Sequence, residues 1–503
     1  MPHSRPTPPR LIHEAVTHQA HLRPSAVALL HRDERVDYAT LDAAANAYAA
    51  ALWAAGVRPG AVVAVLLPRS PRLVAVLLAV LKCGAAYAAL DRRWPGERID
   101  QVTSLVRASM MVSDAEANGD VPHWIVPNEP LAQAASHRTE TPTVYVDSAD
   151  AATVFFTSGS TGVPKGVLSP HHATTRLFPG RGFADFGPGR VVLQAAPVSW
   201  DAFSLELWGP LTSGGTCAIA DADYLLPDTL ADLVTATGLD TAWLTSSLFN
   251  FLVDEDDPDH PCFTGLRQVI TGGERLSPPH VRRFLTRYPD TTLINGYGPA
   301  ESCVFATTHR ISLADCDDPG GIPLGVPVPE TTVHILGGEE PGAVGEICLA
   351  GAGLALGYVG DVDATAATFP LLPVDGKPVR VYRTGDLGLL DSAGVLHFRG
   401  RSDLQVKIAG HRIEPGEIES AARRIPGIRE AAVVPVPAPG GGYDRLALFY
   451  TADDSAAPTP AAVRRALAAT LPRYLVPHTA QRRDALPTTT TGKLDRSALL
   501  AAL

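Results

Sequence analysis

Apolar positions recur along this chain in two rhythms. Around Leu41–Trp53 they return at helical spacing, which predicts an amphipathic helix. The run Ala61–Leu67 predicts a buried strand, and Pro71–Lys82 a second helix. Within that helix lies the longest apolar run, Leu73 to Leu81, too short to cross a bilayer and expected to be buried. Ala152-Thr-Val-Phe-Phe156 predicts another buried strand. This alternation continues to about residue 300 and indicates an α/β sheet with covering helices.

The pattern then changes. Short strands are expected at Thr332–Leu336, Gly345–Ala350 and Val395–Arg399, separated by Gly, Pro and Asp turns. After Gly400-Arg-Ser-Asp403 comes a region with both helical and strand patterns, ending in the loop Pro487-Thr-Thr-Thr-Thr-Gly492. The expected fold class is α/β. Residues 1–402 form a large N-terminal domain of layered α/β sheets with a small β-rich subdomain, and residues 403–503 a smaller α+β C-terminal domain.

Composition changes the picture little. The chain has 503 residues, of which 46% are hydrophobic and 19% charged. That is the balance of a globular protein with large cores. A net charge of −11 disfavours a nucleic-acid partner. From Asp403 onward 13 Lys/Arg face 10 Asp/Glu, a balance of +3, so the rest of the chain carries −14. Cys83, Cys217, Cys262, Cys303, Cys316 and Cys348 form no CxxC pair, which speaks against a zinc site or a disulfide framework and for a reducing cytosol. The opening MPHSRPTPPR lacks the apolar core of a signal peptide, so a cytoplasmic protein with no membrane partner is expected.

The densest chemistry lies in Thr157-Ser-Gly-Ser-Thr-Gly-Val-Pro-Lys165-Gly166, straight after the strand ending at Phe156. Glycines let backbone approach an anion, hydroxyls and N–H groups donate to its oxygens, and a lysine adds charge. The segment is no Walker loop, because Gly166 follows Lys165 where Ser or Thr is required. In Asn295-Gly-Tyr297-Gly-Pro-Ala-Glu301 the glycines let Tyr297 lie against a flat ring, and the Glu301 carboxylate suits Mg²⁺. Tyr382-Arg-Thr-Gly385-Asp386 puts a carboxylate just after a strand, where it suits a ribose. Asp403 lies where a hinge could absorb backbone rotation, or is simply a cap. Lys493, at a loop tip, could stabilise charge developing on a carboxylate and phosphate, or be merely solvated. No GxSxG or GxGxxG is present. His171-His172 has no HExxH context and is expected at the surface or a cap.

In this order these segments resemble the adenylate-forming superfamily, and most closely the adenylation domains of non-ribosomal peptide synthetases. The resemblance runs through Leu81-Lys-Cys-Gly84-Ala-Ala-Tyr87, the phosphate loop, Trp200-Asp201-Ala-Phe-Ser-Leu-Glu-Leu-Trp208, Tyr297-Gly-Pro-Ala-Glu301 and Gly345-Glu-Ile. It continues through Tyr382-Arg-Thr-Gly-Asp386, Gly400-Arg-Ser-Asp403-Leu-Gln-Val-Lys407 with Arg412-Ile-Glu, Leu471-Pro-Arg-Tyr-Leu-Val-Pro477 and Gly492-Lys493-Leu-Asp. It implies two half-reactions: an amino-acid carboxylate attacks the α-phosphate of ATP, then a carrier protein's phosphopantetheine thiol takes the aminoacyl group. Thr157, Ser158, Gly159, Ser160, Thr161, Gly162 and Lys165 are implied to hold the pyrophosphate end. Tyr297 is implied to stack on adenine, Glu301 to bind Mg²⁺, and Asp386 with Arg401 to hold the ribose. Lys493 is implied to bridge carboxylate and phosphate; the C-terminal domain then rotates about Asp403 and brings the Lys407 segment to the site. Ala300 stands where the family often has Thr, Trp200 where it has Phe, and Phe203 where it usually has Ser.

The resemblance also aligns Asp201 with the partner of the substrate's α-ammonium, a cation costly to bury alone. It lines the side-chain pocket with Ala202, Leu205, Trp243, Ile270, Gly272, Gly296, Val304 and Phe305. Such a wall should reject charged and amide side chains. Leu205, Trp243 and Phe305 are expected to fill space and the two glycines to leave some, which suits valine, with 2-aminobutyrate and isoleucine as neighbours. Acyl- or aryl-CoA ligase, D-alanine–carrier ligase and a non-catalytic adenylate-binding module remain the alternatives. The chain stops soon after Lys493, with no carrier segment following and no condensation segment preceding, so action in trans or excision from a synthetase is expected. A small MbtH-like accessory protein is a further candidate partner.

Overall fold

A computed structural model of the chain describes residues 10–115, 121–137, 142–159, 164–178, 182–222, 224–338, 342–374, 376–438, 442–452, 457–488 and 494–503. Local signals set the first elements. The helix Tyr38–Ala54 starts where the Asp37 carboxylate accepts from the Thr40 N–H. Pro71–Lys82 starts where Ser70 caps Leu73 and Pro71 takes the first turn. All of Pro71–Lys82 except Arg72 is buried; Lys82 is compensated by Asp42 at 2.9 Å. Both elements match the helices expected from periodicity.

The alternating region divides between two sheets. In one of nine strands, Val191–Gln194, Thr216–Ile219, Thr241–Thr245, Gln268–Gly272 and Thr292–Tyr297 run parallel, with Thr307–Arg310 antiparallel beside them. In one of seven strands, Val62–Leu66, Ala86–Ala89 and Ala151–Thr157 run parallel, and Lys165–Pro170 returns antiparallel. One core cluster joins side chains of both sheets with the helices Tyr38–Ala54, Pro71–Lys82 and Asp201–Ser213. The Trp208 indole donates to the Tyr87 hydroxyl at 2.8 Å within it, tying the helix that begins at Asp201 to the seven-stranded sheet.

Residues 331–401 form the small β-rich layer. Its strands Thr331–Leu336, Gly345–Gly351 and Leu396–Arg401 match the expected ones to within two residues, but they pair around a long strand, Lys377–Leu390, that turn-like residues hide in the sequence. The C-terminal region pairs Ile428–Pro437, Tyr443–Ala452 and Thr479–Arg482 in one sheet. Alternation along its strands makes two cores. Ala431, Val433, Leu446 and Leu448 meet the helices Pro415–Arg423 and Pro460–Thr470 and the hairpin of Val406–Ile408 with His411–Ile413. Ala432, Val434, Ala447 and Phe449 face the other way, onto Leu494 and the helix Arg496–Ala501.

Candidate active site

The strand Thr292–Tyr297 and the short turn Ala300–Ser302 bring Tyr297 and Glu301 to the carboxyl end of the parallel strands. Glu301 is completely buried. The Tyr358 hydroxyl donates to its Oε1 at 2.8 Å, and Arg412 Nη1 reaches Oε1 at 3.1 Å and Oε2 at 2.9 Å. Burial alone would push this carboxyl up, but Arg412, the Tyr358 hydroxyl and Lys165 hold it below the ordinary range, so it is an anion. The Lys165 ammonium lies 4.8 Å from the Tyr358 ring centroid.

Asp386 lies inside the strand Lys377–Leu390, not after it. Gly385 takes a φ of 72° there. The pairing with Leu396–Arg401 shifts register between Leu387 and Gly388. The irregularity turns the Asp386 carboxylate inward. Tyr297 donates to its Oδ2 at 2.7 Å, which fixes the tyrosine ring, and Arg401 donates to its Oδ1. Arg401 also pairs with Asp403 at 2.8 Å, in the bend that leads to Val406.

Asp201 opens the helix Asp201–Ser213. Its Oδ1 accepts from the Ala202 N–H at 2.9 Å and its Oδ2 from the Val304 N–H at 3.2 Å. The second bond exists because Cys303 and Val304 both hold left-handed backbone, with φ of 48° and 66°. Such strain in a β-branched residue is uncommon and gathers at functional sites. Burial pushes the Asp201 carboxyl up, opposed by the nearby Lys407 ammonium and the two N–H groups.

A single cavity of about 110 Å³ runs from Asp201, where Ala202, Trp243, Gly296, Val304 and Phe305 wall it, past Thr157 and Ser158 to Asp386 and Arg401. Leu205 and Ile270, each 1% exposed, belong to the core and do not reach it, nor does Gly272. The two glycines leave no room. A Cβ on Gly272 would strike the Gly296 carbonyl, and one on Gly296 would strike the Phe305 ring. Gly296 nonetheless lines the cavity with its backbone.

The C-terminal hairpin closes the same cavity with Lys407, Gly410, His411 and Arg412. The Gly410 N–H donates to Glu274, and His411 stacks on Tyr474 at 3.7 Å with the Trp200 ring edge-on at 4.4 Å. Burial, with Arg412 and Arg401 near it, lowers Lys407 from its ordinary value, although Asp386 and Asp201 pull the other way.

Of the phosphate loop, Thr157 ends the strand Ala151–Thr157 with its hydroxyl buried and unpartnered among the described residues, and Ser158 and Gly159 follow it. Ser160, Thr161, Gly162 and Lys493 lie outside the described residues. Thr488 and Leu494, which bracket Lys493, form a bridge on the sheet face opposite the hairpin. His171 is buried rather than superficial: its Nδ1 accepts from the Ile12 N–H at 3.3 Å and its ring meets His13 edge-on. Among the described residues no group of three or more His, Cys, Asp or Glu is placed to hold a metal. The Glu301 carboxylate, hard and ionised, is of the chemistry that suits Mg²⁺, but Arg412 is its cation in this structure. The buried pair Arg98–Glu417, at 2.8 Å, has no sequence signal at all, since its members are 319 residues apart.

Residues 16–359 match the family described as AMP-binding enzyme, and residues 417–493 the AMP-binding enzyme C-terminal domain. Malpibaldin synthetase of Mortierella alpina is 37% identical over 509 residues, 97% of this chain and 9% of that protein. Tyrocidine synthase 3 of Brevibacillus parabrevis is 34% identical over 97% of this chain and 8% of its own length, so the chain spans only a small part of these relatives. Among solved structures, PA1221, an NRPS protein containing adenylation and PCP domains, superposes with a TM-score of 0.84 at 36% identity, over 98% of this chain and 97% of that one. The chain therefore belongs to the AMP-binding enzymes, with the adenylation domains of non-ribosomal peptide synthetases as its family.

Proposed function

We propose that this chain activates a small branched aliphatic amino acid, L-valine first and 2-aminobutyrate or isoleucine next, as the aminoacyl-AMP, using ATP with Mg²⁺. It then passes the aminoacyl group to the phosphopantetheine thiol of a carrier protein. The observation that carries this reading is the half-buried Asp201 carboxylate, which lines the cavity beside apolar walls and accepts from two backbone N–H groups near the charge of Lys407. An α-ammonium bound there gains an ion pair where an uncharged acid would leave the carboxylate unmatched. The walls next to Asp201, namely Ala202, Trp243, Val304 and Phe305, are apolar, which suits an aliphatic side chain.

Each residue then has a part. Thr157, Ser158, Gly159, Ser160, Thr161, Gly162 and Lys165 bind the pyrophosphate end of ATP. Asp386, held by Arg401 and Tyr297, accepts from the ribose hydroxyls, while the fixed Tyr297 ring lies against adenine. Glu301 holds Mg²⁺, which when bound offsets charge on the phosphate oxygens. Lys493 bridges the attacking carboxylate and the α-phosphate, where charge develops in the transition state. Lys493's neighbours and the Lys407 hairpin pack on opposite faces of one small sheet, so a rigid domain presents one of them at a time. Rotation about Asp403 exchanges them between the half-reactions. A carrier protein in trans, a small MbtH-like accessory protein and a cytoplasmic setting complete the proposal. Six free cysteines accord with that setting, and no described helix is long and apolar enough to cross a membrane.

The test is amino-acid-dependent ATP–pyrophosphate exchange over valine, 2-aminobutyrate, isoleucine, leucine, threonine, alanine of both hands and several aryl acids, with CoA turnover beside it. Strongest exchange with L-valine is expected. Preference for an aryl acid or D-alanine, or turnover of CoA in place of a carrier, overturns the assignment.

A further inference from the structure

Beside the turn that carries Val304 lies a buried cation that pairs with no carboxylate among the described residues. Arg176 follows the short helix His171–Thr175 and is 3% exposed. Its Nη2 donates to the Ser302 carbonyl and to the Phe305 carbonyl, each at 2.9 Å, and its Nη1 donates to the Ala173 carbonyl at 3.2 Å. Its Nε is buried and has no partner among the described residues. Burial pushes the guanidinium down to about 10, against the pull of Cys303 and Glu330, so it stays charged at neutral pH. Gly353 makes room for it, because a Cβ there would strike Nη2.

The two carbonyls that share Nη2 bracket a strained turn. The Phe305 N–H donates back to the Cys303 carbonyl at 3.0 Å, and Val304 between them has a φ of 66°. This is a γ-turn of the rare, positive-φ kind, centred on a β-branched residue that resists it. Cys303 is left-handed as well, at 48°, and its thiol meets the hydroxyl of Thr174 in the same short helix at 3.3 Å. The turn delivers the Val304 N–H to Asp201 Oδ2 and sets Val304 and Phe305 in the cavity wall. Relaxed to negative φ, it would point that N–H elsewhere. Resting on the function proposed above, we infer that Arg176 is a positioning residue for amino-acid binding: by holding both ends of the Cys303–Val304 turn, it keeps the Val304 N–H on Asp201. A cation is costly to bury without an anion, so its place calls for a reason beyond packing. The planar fork joins the helix, through Nη1, to the turn, through Nη2; a lysine ammonium is a single point and cannot span them. Arg176 does not line the cavity, and the carboxylate proposed for the ribose, Asp386, is held by other groups. Its loss is therefore felt on the amino-acid side of the site.

The experiment measures ATP–pyrophosphate exchange by the full chain with L-valine, or with the amino acid of the panel that exchanges most strongly. Arg176→Gln should raise the KM for the amino acid about tenfold, the scale of losing one hydrogen bond to a charged group, while kcat and the KM for ATP stay within about twofold. Arg176→Lys keeps the charge without the fork and should recover only part of the loss. Gly353→Ala lies outside the cavity and drives the guanidinium off its carbonyls. It should raise the amino-acid KM by itself, which keeps the inference open to test if Arg176→Gln does not fold, and it should add nothing to Arg176→Gln. An unchanged amino-acid KM, a parallel rise in both KM values, a fall in kcat alone, full recovery in Arg176→Lys, or additive effects of the two substitutions overturns the inference. Normal exchange by the native chain with no shift in the variants sinks this inference alone. No exchange by the native chain with any amino acid sinks the assigned function, and this inference with it.

Discussion

Glu301 and Asp386 are both buried carboxylates of the candidate site, yet they are neutralised in opposite ways. Asp386 is served by its own domain, through Arg401 and Tyr297. Glu301 is served by Arg412, which arrives on the C-terminal hairpin. A carboxylate with a resident cation is a fixed fitting, in place whatever the hairpin does. One whose cation lies on the C-terminal hairpin would, under the proposed rotation, couple its own charge state to the hairpin's position. The contrast predicts that equivalent substitutions at the two will have different consequences.

The largest effect should come from breaking the borrowed pair. Glu301→Gln leaves Arg412 buried without its anion in the docked state, a loss of about 3–5 kcal/mol for such pairs. Thioester formation should fall steeply and the Mg²⁺ requirement of adenylation should rise. Asp386→Asn, which removes only its attraction for Lys407 from the docked hairpin, should weaken docking far less and mainly raise the KM for ATP. Energy transfer between the domains, measured beside ATP kinetics, separates the two; equal loss of docking in both variants would erase the distinction drawn here.

Next is Lys493. Its neighbours lie on the sheet face opposite the hairpin. Lys493→Ala should slow aminoacyl-AMP formation by at least about 10²–10³-fold, roughly 3–4 kcal/mol, as when a transition-state donor is lost. Transfer from preformed aminoacyl-AMP should change by no more than a few-fold. Single-turnover assays of each half-reaction are the check, and parallel losses would contradict the separation of faces.

Gly410 offers the converse. It holds a φ of 80°, and a Cβ there would strike the Thr245 methyl and press on Trp200. Gly410→Ala should cost docking about 1–3 kcal/mol through strain and overpacking. Thioester formation should therefore drop tenfold or more while pyrophosphate exchange holds. If exchange drops equally, Gly410 matters to folding rather than to docking.

How much of this is legible in the sequence differs by feature. The helix Pro71–Lys82 and the strand around Phe155 are readable because their signals are local: a cap, a proline at the first turn, an unbroken apolar run. Asp386 reads as lying after its strand because Gly385 and Gly388 look like turn residues, although in a sheet they make an irregularity that aims the carboxylate. The partition of strands between two sheets is invisible, since Leu29 pairs with Cys217 across most of the large domain. The same holds for Arg98 and Glu417, which occupy ordinary helical positions and acquire meaning only when the domains meet. The pocket glycines read as space because sequence carries no information on which neighbour fills a missing Cβ. Phe305 and the Gly296 backbone do so here. Want of a motif points His171 to the surface or a cap; it opens the helix His171–Thr175, and its burial follows from packing on the first helix.

The smallest expected effect is one of pH, and it too divides the domains' contact from the fixed site. In the docked state His411 lies between Tyr474 and Trp200, with Arg93 and Asp91 as the charged groups about it. Burial first, and then the Arg93 charge, push it down to about 3, against the pull of Asp91. Withdrawn from Trp200, an imidazole returns towards about 6.5. The docked form thus holds His411 neutral, and the undocked form takes up a proton as pH falls. Docking keeps its full stability above about pH 6.5 and loses about 1.4 kcal/mol by pH 5.5, close to a tenfold shift. Energy transfer should therefore decline from pH 7.5 to 5.5 in the native chain and stay flat in His411→Phe, which keeps the aromatic stack. A decline that persists in His411→Phe would move the pH sensitivity to another group and leave the stack with a packing role only.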